Sequence, residues 1–293
     1  MKITFMASVS LRCYGGKEKW LIDIGNALVG AGVDVEMYAL NYSPDGIFRV
    51  SDHVVRDRIS FRYQELKAVK GPIFSVKMES IPEINSDVMY TPSTHYDFVE
   101  QLVKINIPKI FGFHDPILTG MRYEEEMMIL KTFPSMFNTV HLINEVQRLM
   151  IPTGANTVIL ENTWLGEQKH VKNKFGKFTV IFFGRHEESK GIETLKYVED
   201  RLPDDIDLSI AGMGTMTHRI NTPHQNVKLI GFVSESELEY VVSNSHAVLF
   251  PSYSEASSLV AIESIVHGTP LIFRHTNFNS SLEDKPLCVG CSI

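Results

Sequence analysis

The chain has 293 residues, 44% of them hydrophobic and 22% charged, with a formal net charge of −7. That composition describes a folded globular protein, and the length suits two domains of moderate size better than one. No basic tract points to nucleic acid, and no apolar run approaches the roughly 20 residues of a membrane-spanning helix.

The N-terminus, MKITFMASVS, is too short and too polar for a signal peptide. Residues 2–7 read as a first strand, and a cytoplasmic location is the expectation. After a loop over residues 8–16, Trp20, Leu21, Ile24, Leu28 and Val29 recur at helical spacing to about Ala31. Gly32 stops that helix, and residues 33–40 form a second strand. This is a βαβ opening with Gly15 and Gly16 at its strand-to-helix turn, where glycines let the backbone approach a bound group. Residues 41–83 mix polar and basic residues with short β-like runs at 48–50 and 59–61, and read as variable loops with one or two short strands. Residues 87–90 are a strand, followed by the loop TPSTHYD and a helix near 98–104. His95 in that loop reads as structural or solvated. Residues 109–113 form an apolar strand that ends in His114-Asp115-Pro116. A histidine leaving the carboxyl end of a strand either bonds to local backbone or lines a cleft. A helix follows with an acidic run at 124–126, read as a solvated face. Strands at 139–143 and 157–160, separated by a helix at 145–150, close the first domain. GEQKHVKNKFGK, residues 166–177, has no apolar periodicity and reads as a linker. The expected domains are 1–165 and 166–293.

The second domain opens with a strand at 178–183, then Gly184-Arg185 and, five residues on, Lys190-Gly191 leading into a helix at 192–201. A basic pair between a strand and a helix suits a pyrophosphate clamp, although either cation alone would read as surface. Asp205-Ile206-Asp207 precedes a strand at 208–211 that runs into Gly212-Met213-Gly214. The third glycine of a dinucleotide fingerprint is missing there. A strand at 226–231 and an amphipathic helix at 235–243 follow. Residues 247–273 then read strand, tight loop, helix, strand, with Ser257 or Ser258 as the helix cap and Gly268 and Pro270 as stops. Glu255 lies in the loop. Glu263, eight positions later, shares the apolar face of Leu259 and Val266, where a carboxylate is costly without a partner. It either reaches water at the edge of that stripe or accepts hydrogen bonds from vicinal hydroxyls. The backbone N–H groups of Ala256, Ser257, Ser258 and Leu259 are a natural phosphate seat. Cys288-x-x-Cys291 could be half a zinc site or a redox pair; with three cysteines in all and no second pair, two incidental thiols are the favoured reading.

PSYSEASSLVAIESIVHGTPLI resembles the E-x7-E signature of retaining glycosyltransferases of the GT4 type, whose form is close to P-S-x-x-E-G-x-G-x-x-x-x-E-A-x-x-x-G-x-P-V-I. Pro251, Ser252, Glu255, Glu263, Gly268 and Pro270 match it. Ala256 and Ser258 depart where glycine is common, and Ser264 where alanine is. GGKE is similar to the family's G-G-x-E loop, FHD to its H-D or H-N pair, GRHEESKG to its G-R-x-x-x-x-K-G, and GMG to its i-x-G-x-G turn; Asn162-Thr163-Trp164 departs from the usual N-G-V/I-D. The resemblance covers residues 1–273, with the helix that ordinarily returns to the first domain absent or reduced.

The resemblance implies an α/β chain of two Rossmann-like domains facing across a cleft, the GT-B fold. It implies retaining, metal-independent transfer of a hexose from a nucleotide-diphosphate sugar, such as UDP-glucose or GDP-mannose, to a hydroxyl of a glycan, lipid or protein. No cofactor or metal is expected. Arg185 and Lys190, with Gly184 and the amides from Ala256 to Leu259, would hold the donor phosphates. Glu263 would hold the ribose and Glu255 the sugar hydroxyls. His114 would touch the donor sugar, and Gly15 and Gly16 would face diphosphate and acceptor. Two alternatives stand beside this reading: a metal-dependent glycosyltransferase using Asp205 and Asp207, and a non-catalytic nucleotide-sugar-binding module.

Overall fold

The computed structural model describes residues 1–13, 15–44, 50–71, 75–115, 123–164, 174–220, 224–276 and 282–291. It divides into two compact units, Met1–Leu165 and Gly166–Ile293. Most of the expected linker, residues 166–173, lies outside the described residues.

In chain order the first unit contains β1 (Lys2–Ala7), α1 (Gly16–Gly30), β2 (Asp34–Leu40), α2 (Asp52–Arg58), β3 (Arg62–Leu66), β4 (Ala68–Lys70) and β5 (Val76–Met78). There follow β6 (Val88–Thr91), α3 (Tyr96–Val103), β7 (Lys109–Phe113), α4 (Tyr123–Thr132), β8 (Thr139–Leu142) and β9 (Thr157–Ile159). Seven of the strands form one sheet in the order β3-β2-β1-β6-β7-β8-β9. All neighbours are parallel, with Lys2 opposite Asp34 and Ile3 opposite Val88. Strands covered on both faces need apolar residues on both, and β1 shows it. Ile3, Phe5 and Ala7 pack with Leu21 and Ile22 of α1. Met6 faces the other way, against Phe98 and Leu102 of α3.

The reading of residues 41–83 as mostly loop is corrected. Ser51 caps α2 by accepting from the Val54 amide, and the chain then adds β3 to the sheet edge and pairs β4 with β5 in a separate antiparallel ribbon. Residues 59–61 lie just before β3 rather than forming a strand, while 48 and 49 fall outside the described residues. The helix expected at 145–150 is a 3-10 turn, Val146–Met150. His95 is structural: it is buried and its Nδ1 lies 2.7 Å from the Ser8 hydroxyl.

The second unit runs β10 (Phe178–Phe183), α5 (Ile192–Glu199), β11 (Ile206–Ala211), β12 (Val227–Gly231), α6 (Glu235–Asn244), β13 (Ala247–Phe250), α7 (Leu259–Val266), β14 (Leu271–Arg274) and β15 (Cys288–Cys291). Its six-stranded sheet, β12-β11-β10-β13-β14-β15, is also parallel throughout. One face packs Ile181, Phe183 and Val248 against Val242 of α6 and Ala261 of α7. The other packs Phe182 and Leu208 against Ile192 and Leu195 of α5. Each unit is a Rossmann-like layer structure. In each sheet the strand order reverses beside the first strand, between β1 and β6 and between β10 and β13. Connections leave such a point in opposite directions, and the crevice beyond the carboxyl ends of those strands is where open α/β sheets bind ligands.

Candidate active site

The switch point of the second unit brings together the segments after β10 and β13, which hold Lys190 and Glu255. The Lys190 ammonium lies 2.6 Å from Glu255 Oε1, with side-chain exposures of only 21% and 12%. Sixty-five positions separate these residues, so their meeting is a product of strand order. The Tyr253 amide also donates to the Ser189 carbonyl at 2.9 Å.

Backbone does most of the joining here. Gly191 has a φ of 76°, and a Cβ on it would lie 2.1 Å from the Pro251 carbonyl oxygen. Gly212, at φ 113°, would place a Cβ 1.9 Å from the carbonyl oxygen of Gly184. Only glycine permits approaches this close in that conformation. The His186 amide donates to the Met213 carbonyl at 3.2 Å, which locks the turn after β11 onto the segment after β10. His186 itself is fully buried, with Nδ1 2.9 Å from the Thr217 hydroxyl. Burial pushes its pKa down despite the opposing contact with the Ala211 carbonyl. Neither His186 nor Thr217 stood out in the sequence; a histidine between a basic residue and two glutamates reads as surface.

Arg185 is half exposed and bonds to Glu187 Oε1 at 3.0 Å. It therefore lies on the same connecting segment as Lys190 without sharing its partner. Ser258 caps α7 by accepting from the Ala261 amide at 3.3 Å, so of the first-turn amides those of Leu259 and Val260 are not taken up by the cap. Ala256, Ser257 and Ser258 form the approach to that turn. Glu263 lies inside α7, partly buried, between the buried Ala261 and Ser264. Arg274 stacks its guanidinium 4.3 Å from the Tyr253 ring centre and donates to Thr194, tying the end of β14 to the loop that carries Glu255.

Asp205 and Asp207 flank the start of β11, the end of the strand opposite Gly212. Asp207 is paired with Lys177 at 2.6 Å and Asp205 is exposed. Among the described residues, no three His, Cys, Asp or Glu side chains gather as metal ligands would. Cys288 and Cys291 bound β15 and are both free thiols. Three positions apart on a strand, their side chains point to opposite faces, so they form neither a redox pair nor two ligands of one ion.

In the first unit the segments after β1, β6 and β7 converge. Lys17, from the GGKE segment, bonds to Asp115 Oδ2 at 2.8 Å, and the Thr94 hydroxyl donates to the same oxygen at 2.8 Å. Gly15 is the N-cap of α1 in extended conformation, and Gly16 opens the helix. His114 stands beside Asp115, with Nε2 2.7 Å from the Tyr90 hydroxyl. Its ring centre is 4.4 Å from that of Trp20. Burial, then the neighbouring His141 and Lys17, lower its pKa to about 3 against the opposing pull of Asp115. Tyr90 and His141 were not singled out in the sequence, although a histidine within the apolar run of β8 was the available signal.

These lowered histidine pKa values carry a sign. Below about pH 6.5 the unfolded chain binds protons that the folded His114 refuses, so folding stability falls as pH drops from there toward 3. His141 and His186, lowered chiefly by burial, act in the same direction. The thermal midpoint should decline across that window, and the decline should be shallower in His114→Asn. An identical profile in the variant would contradict a neutral buried imidazole.

Two units, each an open parallel sheet with its switch point beside the first strand, have the make-up of the GT-B fold. Residues 166–283 match the family described as Glycosyl transferases group 1. Among solved structures, a mutant of Staphylococcus aureus TarM superposes with a TM-score of 0.74 at 12% identity, over 97% of this chain and 88% of that one. Sucrose-phosphate synthase from Thermosynechococcus elongatus gives 0.74 at 17% identity, over 100% and 86%. HepE from Anabaena, solved with UDP and glucose, gives 0.72 at 16%, over 100% and 86%. No curated protein matches the chain by sequence. The match over residues 166–283 supports a glycosyltransferase enzyme, and the solved structures show the fold. No helix among the described residues is long and apolar enough to cross a membrane.

Proposed function

We propose that the chain is a retaining, metal-independent glycosyltransferase of the GT4 type that moves a hexose from a nucleotide-diphosphate sugar to a hydroxyl acceptor. The observation that carries this is the Lys190–Glu255 pair at the switch point of the domain matching group 1 glycosyl transferases.

Breaking the bond between sugar and diphosphate puts negative charge on the leaving phosphate. Fixed donors aimed at that charge lower the barrier more than any other single device. Lys190 is such a donor. An ammonium has three N–H groups, so one bond to Glu255 leaves others for phosphate oxygens. Arg185 and the Leu259 and Val260 amides at the tip of α7 add to it. Glu255, oriented by Lys190, accepts hydrogen bonds from hydroxyls of the transferred sugar, and Glu263 takes the ribose diol. His114, Gly15 and Gly16 belong to the first unit's ligand-facing loops and serve the sugar and acceptor. With cationic side chains and helix amides supplying the positive charge, no divalent ion is required. The pairing of Asp207 with Lys177 at the far end of β11 speaks against a metal held there.

A thermal-shift panel of UDP-, GDP-, ADP- and TDP-sugars tests donor binding, since a ligand at 100 times its Kd adds about 2.7 kcal/mol. UDP-sugars head the panel because TarM and HepE were solved with UDP. One base should raise the melting temperature above the rest, and transfer with that donor should survive a strong chelator. No shift with any donor, or turnover abolished by the chelator and restored by a divalent ion, would overturn the reading.

A further inference from the structure

Buried Tyr90 and His141 and part-buried His114, in the first unit, form a line whose hydrogen-bond polarity is set at one end by backbone. His141 Nε2 lies 2.9 Å from the Leu160 carbonyl oxygen. A carbonyl only accepts, so Nε2 carries the proton and donates it. A neutral imidazole has a single N–H, which leaves His141 Nδ1 bare. The Tyr90 hydroxyl, 2.7 Å from that nitrogen, must donate to it. Its one proton is then committed. At 2.7 Å on its other side stands His114 Nε2; two lone pairs cannot face each other at that distance, so Nε2 carries a proton and donates to the Tyr90 oxygen. Neutral His114 is thereby left with an unprotonated Nδ1, which has no hydrogen-bond partner among the described residues.

The surroundings hold this line in place. Tyr90 and His141 are buried at 5% and 4% exposure. A Cβ on Gly112 would lie 1.9 Å from the Tyr90 oxygen and 3.1 Å from His114 Nε2, so β7 carries glycine where the hydroxyl needs room. Trp20 packs its ring within 6 Å or so of all three rings, at centroid distances of 4.4, 5.6 and 6.0 Å. His114 alone of the three sits at the carboxyl end of a strand with part of its surface open.

We propose that Tyr90 and His141 are positioning residues, which hold His114 in the one tautomer whose Nδ1 accepts a hydrogen bond from a substrate hydroxyl. The tautomer follows from the line of contacts alone; the hydroxyl ligand rests on the glycosyl-transfer reading above. The depressed pKa of His114 supports it, because a neutral ring is what makes the tautomer matter near pH 7. An acceptor at this point favours a ligand group that can donate, as a sugar or acceptor hydroxyl does, over one that only accepts.

Nitrogen-15 NMR of histidine-labelled protein at pH 7.5, without any substrate, reads the tautomer directly. Wild type should show His114 with a bare Nδ1 and a protonated Nε2. Tyr90→Phe removes the acceptor that selects Nε2–H, so the Nδ1–H form should rise to a comparable population. His141→Leu should do the same, whereas His141→Asn, whose amide oxygen can replace Nδ1 as acceptor, should restore the wild-type pattern. With the donor found in the thermal panel, kcat/KM should fall about tenfold in Tyr90→Phe and recover in His141→Asn relative to His141→Leu, the scale of one hydrogen bond. A proton on Nδ1 in wild type, or an unchanged tautomer in Tyr90→Phe, would overturn the positioning role. An altered tautomer with unchanged turnover would overturn the substrate contact, and absence of transfer with every nucleotide sugar would sink the functional reading while leaving the tautomer result standing.

Discussion

Lys190→Ala should lower turnover about a hundredfold to a thousandfold, the loss recorded when one well-aimed donor to a developing negative charge is removed. Adding Arg185→Ala should cost less again, because that guanidinium is half exposed and shared with Glu187. A structural explanation competes with this, since removing the lysine strands Glu255, whose side chain is only 12% exposed. An unpaired carboxylate there should itself destabilise the fold by about 1–3 kcal/mol. The double variant Lys190→Ala, Glu255→Gln, read against Glu255→Gln alone, separates the two. It removes the stranded charge, so thermal stability should return most of the way while turnover stays well below that of Glu255→Gln. Turnover equal to that of Glu255→Gln would show that Lys190 matters only as a partner for Glu255.

Gly191→Ala should be the most damaging change in backbone at this site. The substitution forces an L side chain into a φ of 76° and drives a methyl to 2.1 Å from the Pro251 carbonyl oxygen. The left-handed conformation alone costs about 1–2 kcal/mol, and the clash cannot be relieved by rotating a side chain, because what it meets is main chain. A total near 3 kcal/mol, or a fall of about 6–12 °C in Tm, is expected. Gly231→Ala is the control. Its φ is 72°, yet nothing lies within 4 Å of the added Cβ, so it should cost only the conformational part. Equal losses in the two variants would mean that the contact between the segment after β10 and the end of β13 contributes nothing.

How far the sequence could be read depended on what each segment buries. β10 and β13 are covered on both faces, so their apolar runs were continuous and their ends were marked by Gly184 and Pro251. The helix of α7 declared itself through Ser258 before it and Gly268 after it. β3, by contrast, is an edge strand reading Arg-Tyr-Gln-Glu-Leu with no buried position, and β4 and β5 are three residues each, too short to leave a period. Those residues looked like loop because they bury little. Motif spacing singled out Lys190 and Glu255 in the second unit and His114 in the first, because each follows a strand in a short stretch of recognisable chemistry. Motif spacing said nothing of Tyr90 and His141. They lie 51 positions apart on β6 and β8, and what joins them is the lateral order of the strands. His186 escaped for the same reason, its partner Thr217 belonging to a different connection.

The seat for Lys190 is made from main-chain atoms: the Pro251 and Gly184 carbonyls press on glycines, and amides of Tyr253 and His186 close the joints. Groups that every amino acid shares are indifferent to which side chains surround them. If the proposed donor site is right, substitutions at exposed positions nearby in the chain, such as Met213 or Phe232, should change substrate preference while this main-chain seat keeps its shape.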